Sequence, residues 1–362
     1  MKIEDLNLPE QIDQVDREGM LKVIESFPEQ CREALAIAEQ AEVAAPSAVS
    51  SVVILGMGGS GIGGSMIKVL LEREIRVPIS VVKGYELPAF VDEKALVFAV
   101  SYSGDTEETL ATFEEARLRR RANVVAITSN GRLKERATEE GLSLIEIPTG
   151  YQPRAALGYL FLPILVILGK AGLVSDKTES IEEAIEILKV ESSRFAVKTP
   201  AGQNDAKRLA AELYGKIPII YGAEGISSAA ALRWKTQFHE NSKIPAFYNV
   251  FSELNHNEIV GWEMLEEQTQ MFDLIVLRHA GEYGRNKKRI EITLPMISDH
   301  LYSVREVWAE GESDVARLLS LIYIGDFTSA YLAILYGVDP TPVERIKLLK
   351  EKLQQGNVEA DL

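Results

Sequence analysis

The sequence contains little cysteine and little histidine. Cys31 is the only cysteine among 362 residues, and there are four histidines. A single cysteine excludes an intrachain disulfide, a Cys-rich metal cluster and a paired redox motif. The histidines form no H-x-H or H-E-x-x-H grouping, which argues against a zinc site held by histidines. We therefore expect neither a metal ion nor a cofactor.

Positive charge is also in short supply. The chain has 54 acidic and 39 basic residues, which gives a formal net charge of -15. Such a surface repels nucleic acid and anionic lipid, so neither is expected as a partner. An anionic ligand would have to be held by local features of the fold.

Long apolar runs are absent as well. The most apolar stretch, AALGYLFLPILVILG at 155–169, is interrupted by Pro163 and is shorter than the ~20 residues of a membrane span. It predicts a buried helix, which could serve the core or a subunit interface. The first 16 residues lack the basic-then-apolar plan of a signal peptide, so we expect a cytoplasmic location.

Short β-branched runs alternate with helical patterns along the chain. They lie at 51–56, 79–84, 95–101, 123–129 and 142–148 in the first half, and at 217–222, 246–251, 272–278 and 288–295 in the second. Continuous apolar strands separated by helices are typical of parallel sheets covered on both faces. The predicted fold class is α/β, with two doubly wound parallel-sheet domains in tandem.

The length of the chain exceeds that of one ordinary hydrophobic core. We expect an N-terminal helical segment at 1–30, a first domain at 31–170, a linker helix at 171–200 and a second domain at 201–362. The second domain should end in a helix opened by Pro342.

The first predicted strand runs into a glycine-rich segment, GMGGSGIGG, which includes Gly59 and Ser60. A glycine-rich turn before a helix lets backbone N–H groups approach an anion, with help from the helix dipole. The spacing also matches the G-x-G-x-x-G pattern of dinucleotide sites. However, Lys83 stands where NAD binding would want an acidic residue, although NADP would tolerate it.

The third predicted strand is followed by a second loop of this kind, SYSGDTEET. Ser101, Ser103 and Thr106 place three hydroxyl groups around Gly104 at a helix start. They could be ordinary helix caps or phosphate ligands. Since both loops follow strands of one parallel sheet, they should meet at its carboxyl edge, where open α/β folds bind ligands.

The pair GMGGSGIGG and SYSGDTEET resembles the sugar isomerase (SIS) domain, whose serine and threonine loops hold sugar phosphates. In the second half, GAEG, the helix SSAAALRWKTQFHENSK and ELNHNEIVGW extend the likeness. Together they resemble the short bifunctional phosphoglucose/phosphomannose isomerases of archaea and bacteria. The resemblance implies interconversion of glucose, fructose and mannose 6-phosphates through a cis-enediolate.

The resemblance also implies roles for particular residues. Glu240 would be the base that moves a proton between C2 and C1, and His256 would assist ring opening from the other subunit of a homodimer. Arg154 would stabilise the enediolate. A lysine of the last helix would act in ring opening, and Lys350 is better placed for it than Lys347, because it borders the apolar stripe of Ile346, Leu349 and Leu353.

Two other interpretations remain open at the level of sequence. The phosphate loops alone would also suit an SIS-type isomerase of another phosphosugar, or a sensor that binds a sugar phosphate without turnover. The acidic charge and the lack of a basic appended segment argue against a DNA-binding sensor. Near C2 and C3, Thr341 or Thr328 could influence which epimer forms.

Overall fold

The computed structural model describes residues 3–43 and 48–360, so the outermost residues of the expected N-terminal segment and second domain lie outside it. Nine strands are present in this part of the chain. They are β1 Ser51–Leu55, β2 Ile79–Val82, β3 Ala95–Val100, β4 Asn123–Thr128, β5 Ser143–Glu146, β6 Ile217–Ala223, β7 Phe247–Phe251, β8 Phe272–Arg278 and β9 Ser303–Trp308.

Helices precede, connect and follow these strands. The α-helices are α1 Pro9–Val15, α2 Met20–Glu25, α3 Phe27–Gln40, α4 Gly58–Leu71, α5 Glu107–Glu114, α6 Gly131–Glu139, α7 Leu157–Lys170, α8 Thr178–Phe195, α9 Asp205–Leu213, α10 Ile226–Gln237, α11 Glu266–Thr269, α12 Gly284–Ile297, α13 Asp314–Leu335 and α14 Glu344–Ala360. Two π-helical turns, Glu115–Arg119 and Phe238–Ser242, extend α5 and α10.

The strands form two sheets, and every pairing within them is parallel. The first sheet has the order β2-β1-β3-β4-β5 and the second has the order β7-β6-β8-β9. Each sheet starts at an inner strand and extends to both sides, which requires crossover helices on both faces. The predicted tandem of two doubly wound α/β domains is confirmed.

One apolar core lies between the two sheets and joins them. It contains residues from one face of each sheet together with α3, α7, α10 and α13. Each sheet also has a smaller core on its outer face. The apolar run at 155–169 lies in α7 and is buried within the chain itself, because burying so many Leu and Ile side chains is strongly favourable.

Helix α13 is the centre of this core. By length and composition it could cross a membrane, but 94% of its apolar stretch is buried inside the protein. It is therefore the kind of predominantly apolar helix that a core element requires.

The predicted strand at 288–295 is wrong, because these residues belong to α12. Ile290, Leu294 and Ile297 recur at helical spacing and line one buried or half-buried face. The alternation of β-branched residues around Ile290 and Ile292 concealed that pattern. The strand that completes the second sheet is β9, whose sequence SVREVW is mostly half-buried and exposed, as suits an edge.

Two helices lie at the positions where divisions of the chain were expected. Helix α8 occupies the expected linker, whereas the expected boundary at residue 30 falls inside α3. Helix α14 starts two residues after Pro342. Its residues 344–353 are exposed throughout, including Ile346, Leu349 and Leu353, so nothing within the described chain covers its apolar stripe.

Candidate active site

Two hydroxyl-rich loops meet at the carboxyl edge of the first sheet, as the sequence predicted. The first links β1 to α4, and the second links β3 to α5. The hydroxyl of Ser60 accepts a hydrogen bond from the backbone N–H of Tyr102 at 3.2 Å, which joins the loops directly. The first turns of both helices contribute N–H groups that lack partners within the helix, which suits an anion.

The second loop is organised around the hydroxyl of Ser101. It lies 3.0 Å from the hydroxyl of Thr106 and accepts from the N–H of Gly104 at 3.1 Å. Thr106 stands at the N-cap of α5, yet its side chain makes no cap hydrogen bond. Ser103 is exposed at the tip of the loop. The hydroxyl groups of Ser101 and Thr106 therefore lie against each other, which an ordinary helix cap does not require.

Gly59 brings the first loop against the segment that carries Arg154. A Cβ atom at Gly59 would lie 2.7 Å from the backbone N of Arg154 and 2.7 Å from the backbone C of Pro153. No side chain fits into such a space. The backbone of the first loop is therefore in direct contact with the backbone of Arg154.

Arg154 follows β5 in the short 3-10 turn Pro153–Ala155, and its side chain is only 2% exposed. Its Nε donates to Oδ1 of Asn241 at 2.7 Å. One terminal nitrogen donates to the carbonyl oxygens of Pro340 and Thr341, both at 2.8 Å. The other terminal nitrogen lies 3.6 Å from Oε2 of Glu240. The guanidinium is thus fixed on three sides and faces Glu240 on the fourth.

Glu240 lies in the π-helical turn Phe238–Ser242 that ends α10. Its side chain is 25% exposed, whereas the neighbouring Asn241 and Ser242 are buried. Asn241 donates to the hydroxyl of Ser329 at 2.9 Å, and Ser242 donates to the carbonyl of Ser329 at 2.6 Å. Turns of the π type are frequent at functional sites, and this one presents Glu240 toward Arg154.

Cations around Glu240 are held in a partly dehydrated environment. Burial lowers the pKa of Arg154 from its ordinary value, and the nearby guanidinium of Arg233 adds to this effect. Burial, followed by the charge of Arg154, lowers the pKa of Lys243 to about 8. Lys243 donates to the carbonyl of Pro340 at 3.0 Å and also to the backbone carbonyl of Glu240. An added negative charge in this region would be stabilised by these groups.

Asn241, Lys243 and the carbonyl groups of Pro340 and Thr341 were not predicted from the sequence. They meet Arg154 only because the two domains and the segment between α13 and α14 come together at this point. The segment HENSK, which immediately surrounds Glu240, was the only available signal.

His256 is not brought to Glu240 within one chain. Glu240 precedes the start of β7 and His256 follows its end, so the two residues lie near opposite ends of this strand. The five residues of β7 separate the two positions by roughly 17 Å along the strand. His256 is exposed, and so is Lys350 on α14.

The site offers little for the other ligands considered from the sequence. Lys83 extends from the end of β2 over α4, where its Nζ donates to the hydroxyl of Ser65 at 2.9 Å. It therefore occupies the position where the ribose of a dinucleotide would need a carboxylate. In residues 3–43 and 48–360, no group of three or more His, Cys, Asp or Glu side chains could hold a metal ion.

Family comparisons agree with this architecture. The SIS domain model matches residues 47–140, and the model described as bacterial phospho-glucose isomerase C-terminal SIS domain matches residues 202–353. The two hydroxyl-rich loops lie in the first of these regions, and Glu240 lies in the second. The fold and the site together define a tandem SIS-domain protein.

Curated relatives identify the family. A bifunctional phosphoglucose/phosphomannose isomerase from Caldicellulosiruptor bescii is 44% identical over 93% of this chain and 99% of its own length. One from Aquifex aeolicus is 40% identical over 84% and 90%. The chain belongs to the family of bifunctional phosphoglucose/phosphomannose isomerases. A glucose-6-phosphate isomerase like protein from Thermus thermophilus shares the fold, with a TM-score of 0.64, 22% identity and coverage of 93% of this chain and 98% of that one.

Proposed function

We propose that the protein interconverts glucose 6-phosphate and fructose 6-phosphate, and fructose 6-phosphate and mannose 6-phosphate, by moving a proton between C2 and C1. The observation that carries this proposal is the approach of Arg154 to Glu240 beside the phosphate loops, in a chain 44% identical to such an enzyme over nearly its full length. Glucose and mannose phosphates are epimers at C2, so both give the same planar cis-enediolate.

The phosphate of the substrate would lie between the two loops at the carboxyl edge of the first sheet. The proposed ligands are the backbone at Gly59 and the hydroxyl groups of Ser60, Ser101, Ser103 and Thr106. Because the phosphate takes no part in the proton transfer between C2 and C1, these groups would bind the substrate and the transition state about equally and so contribute mainly to affinity.

Glu240 would take the proton from C2 as its carboxylate and return it to C1. Its partial burial supports this role, because a carboxylate shielded from water is a more effective base. The enediolate that forms carries negative charge, which Arg154 is oriented to stabilise. Since Arg154 is already held by its neighbours, it would need little reorganisation when that charge develops.

A homodimer would complete the site. His256 lies at the opposite edge of the second sheet from Glu240 and is exposed, so a second subunit would have to supply it. Large apolar side chains are exposed on β7 and on the loop that follows it, which is unusual for a free surface. They are Phe247, Tyr248, Val260, Met264 and Leu265.

Ring opening and the choice of epimer would depend on the end of the chain. We assign ring opening to His256 together with Lys350, with Lys347 as the other candidate lysine. Thr341 is the better candidate for steering protonation at C2, because its buried hydroxyl has no hydrogen-bond partner in the described structure. The hydroxyl of Thr328 already donates to the carbonyl of Ile324 at 2.7 Å.

We further propose that the enzyme works in the cytoplasm, without a metal ion or an organic cofactor, and that the chain divides at the residues expected from the sequence.

A sensor that binds sugar phosphate is the second candidate from the sequence. The fixed guanidinium beside Glu240 favours the enzyme, because binding phosphate does not require a carboxylate at that place.

A paired assay would test this proposal. Wild type and Glu240→Gln are each supplied with fructose 6-phosphate without added metal, and formation of glucose and mannose 6-phosphates is followed. We expect wild type to form both and Glu240→Gln to lose both activities by about a hundredfold or more. Glu135→Gln, an exposed glutamate on α6, is the matched control and should retain both. No turnover by wild type would disprove the proposed function and favour the sensor.

A further inference from the structure

A buried ion pair lies directly behind the candidate active site. Arg233 on α10 and Asp326 on α13 have side chains that are 2% and 10% exposed. The guanidinium donates to both carboxylate oxygens of Asp326, at 3.0 and 2.5 Å. A second donor, the amide of Gln237, reaches Asp326 at 2.9 Å. A pair of this kind is costly to bury, and its retention in a core calls for an explanation.

The pair is connected to Arg154 through the backbone. Besides its bonds to Asp326, the guanidinium of Arg233 donates to the carbonyl oxygen of Arg154 at 2.8 Å. This contact fixes the peptide that carries the Arg154 side chain. Since the peptide just before it, between Pro153 and Arg154, is in contact with Gly59, movement of Arg233 would disturb both Arg154 and the loop between β1 and α4.

The same stretch of α13 supports the turn that carries Glu240. Ser329 lies one turn after Asp326 and donates to the Asp326 carbonyl at 2.8 Å. It also receives the side chains of Asn241 and Ser242, the two residues that follow Glu240. One rigid segment of α13 therefore supports both sides of the Arg154 and Glu240 contact.

We propose that Arg233 and Asp326 are positioning residues of this site, which fix the geometry of Arg154 and Glu240. The effect on turnover rests on the proposed function. The effect on the side chain of Arg154 does not, because it follows from the contact between Arg233 and the Arg154 backbone.

Two single variants break the positioning contacts. Asp326→Asn weakens the grip on Arg233, and Arg233→Gln removes the contact with the Arg154 carbonyl. We expect each to lower kcat by about tenfold or more, because a small misplacement of the reacting groups is costly. Arg233→Lys should restore part of the rate. Since the two residues act as one unit, Arg233→Gln/Asp326→Asn should lower kcat by about as much as either single variant.

The experiment measures kcat for fructose 6-phosphate and follows the Nε–H signal of Arg154 by ¹⁵N NMR in protein labelled at arginine, with Arg154→Met used to assign it. The signal should shift in Asp326→Asn. Asp273→Asn is the matched control, since Asp273 is also a buried aspartate paired with an arginine, Arg305, but lies in β8 away from the site. It should destabilise the protein without moving the Arg154 signal or lowering kcat.

An unchanged Arg154 signal and kcat in Asp326→Asn, or equal changes in Asp273→Asn, would overturn the positioning role. Should Asp326→Asn fail to fold, Arg233→Gln decides, because an undiminished kcat there would overturn the inference. Absence of turnover in wild type would instead disprove the proposed function and leave the Arg154 signal as the test of this inference.

Discussion

The guanidinium of Arg154 lies 3.6 Å from the carboxylate of Glu240, although the two residues are separated by 86 positions in the chain and belong to different domains. Every other polar edge of Arg154 is occupied by Asn241 or by carbonyl groups. The remaining edge of this buried cation is therefore directed at the proposed base.

Replacing Arg154 should affect turnover more than binding. In Arg154→Met the enediolate loses its cation, and we expect kcat to fall by about a hundredfold or more, as for the loss of a donor to a developing oxyanion. Arg154→Lys keeps the charge but cannot satisfy Asn241, Pro340 and Thr341 together, so it should restore only part of the rate. Steady-state kinetics with fructose 6-phosphate measure this. Equal kcat in both variants and wild type would contradict the assignment.

Gly59→Ala should disturb the site through the backbone. The added Cβ would meet Arg154 and Pro153 at 2.7 Å, so the loop must move. We expect a loss of about 1 to 3 kcal/mol in the free energy of unfolding and a higher KM for the sugar phosphate. Gly202→Ala is the control, because nothing lies within 4 Å of its added Cβ. Urea denaturation and kinetics report the two effects, and identical behaviour of both variants would contradict the contact.

The two lysines of α14 can be distinguished by neutral replacement. The carbonyl of Thr341 binds Arg154. At the helical rise per residue, Lys347 and Lys350 follow Thr341 by roughly 9 and 14 Å along the chain. We expect Lys350→Met to lower kcat about tenfold with the ring form of the substrate, and Lys347→Met to stay within about twofold of wild type. The opposite ranking would reassign ring opening to Lys347.

The limits of sequence prediction follow from the kinds of contact involved. Strands β1 to β8 were predicted because they are continuous apolar runs, whereas α12 was mistaken for a strand because its β-branched residues mask a helical period. The meeting of the two hydroxyl-rich loops at one sheet edge was predicted because each directly follows a strand of the same sheet. The partners of Arg154 could not be predicted, because they come from a π-turn and from the segment between α13 and α14, which are distant in sequence.

Burial of single side chains was equally hidden from the sequence. Glu191 belongs to a charged helical pattern on α8 and would be expected on the surface, yet it is 3% exposed and one of its carboxylate oxygens has no hydrogen-bond partner in the described structure. Burial, followed by the negative charge of Glu310, raises its pKa well above the ordinary value of 4.5. Near neutral pH this glutamate is therefore a source of instability.

The sign of its effect on stability follows from linkage. Between pH 4.5 and the raised pKa, the folded protein holds a proton on Glu191 that the unfolded chain has released. The contribution of this group is therefore fully present below pH 4.5 and is lost as the pH rises toward the raised pKa. Glu191→Gln cannot ionise, so we expect it to increase the free energy of unfolding by about 1 kcal/mol or more at pH 7.5, with the gain shrinking toward pH 4.5.

Urea denaturation of wild type and Glu191→Gln at a series of pH values measures this difference. Glu182→Gln, an exposed glutamate on the same helix, is the control and should change stability by less than about 0.5 kcal/mol at every pH. A gain that is independent of pH would indicate better packing of the amide rather than removal of a titrating group. A loss of stability at pH 7.5 would mean that the Glu191 carboxylate is satisfied in the folded protein, because only a favourably solvated charge is costly to remove.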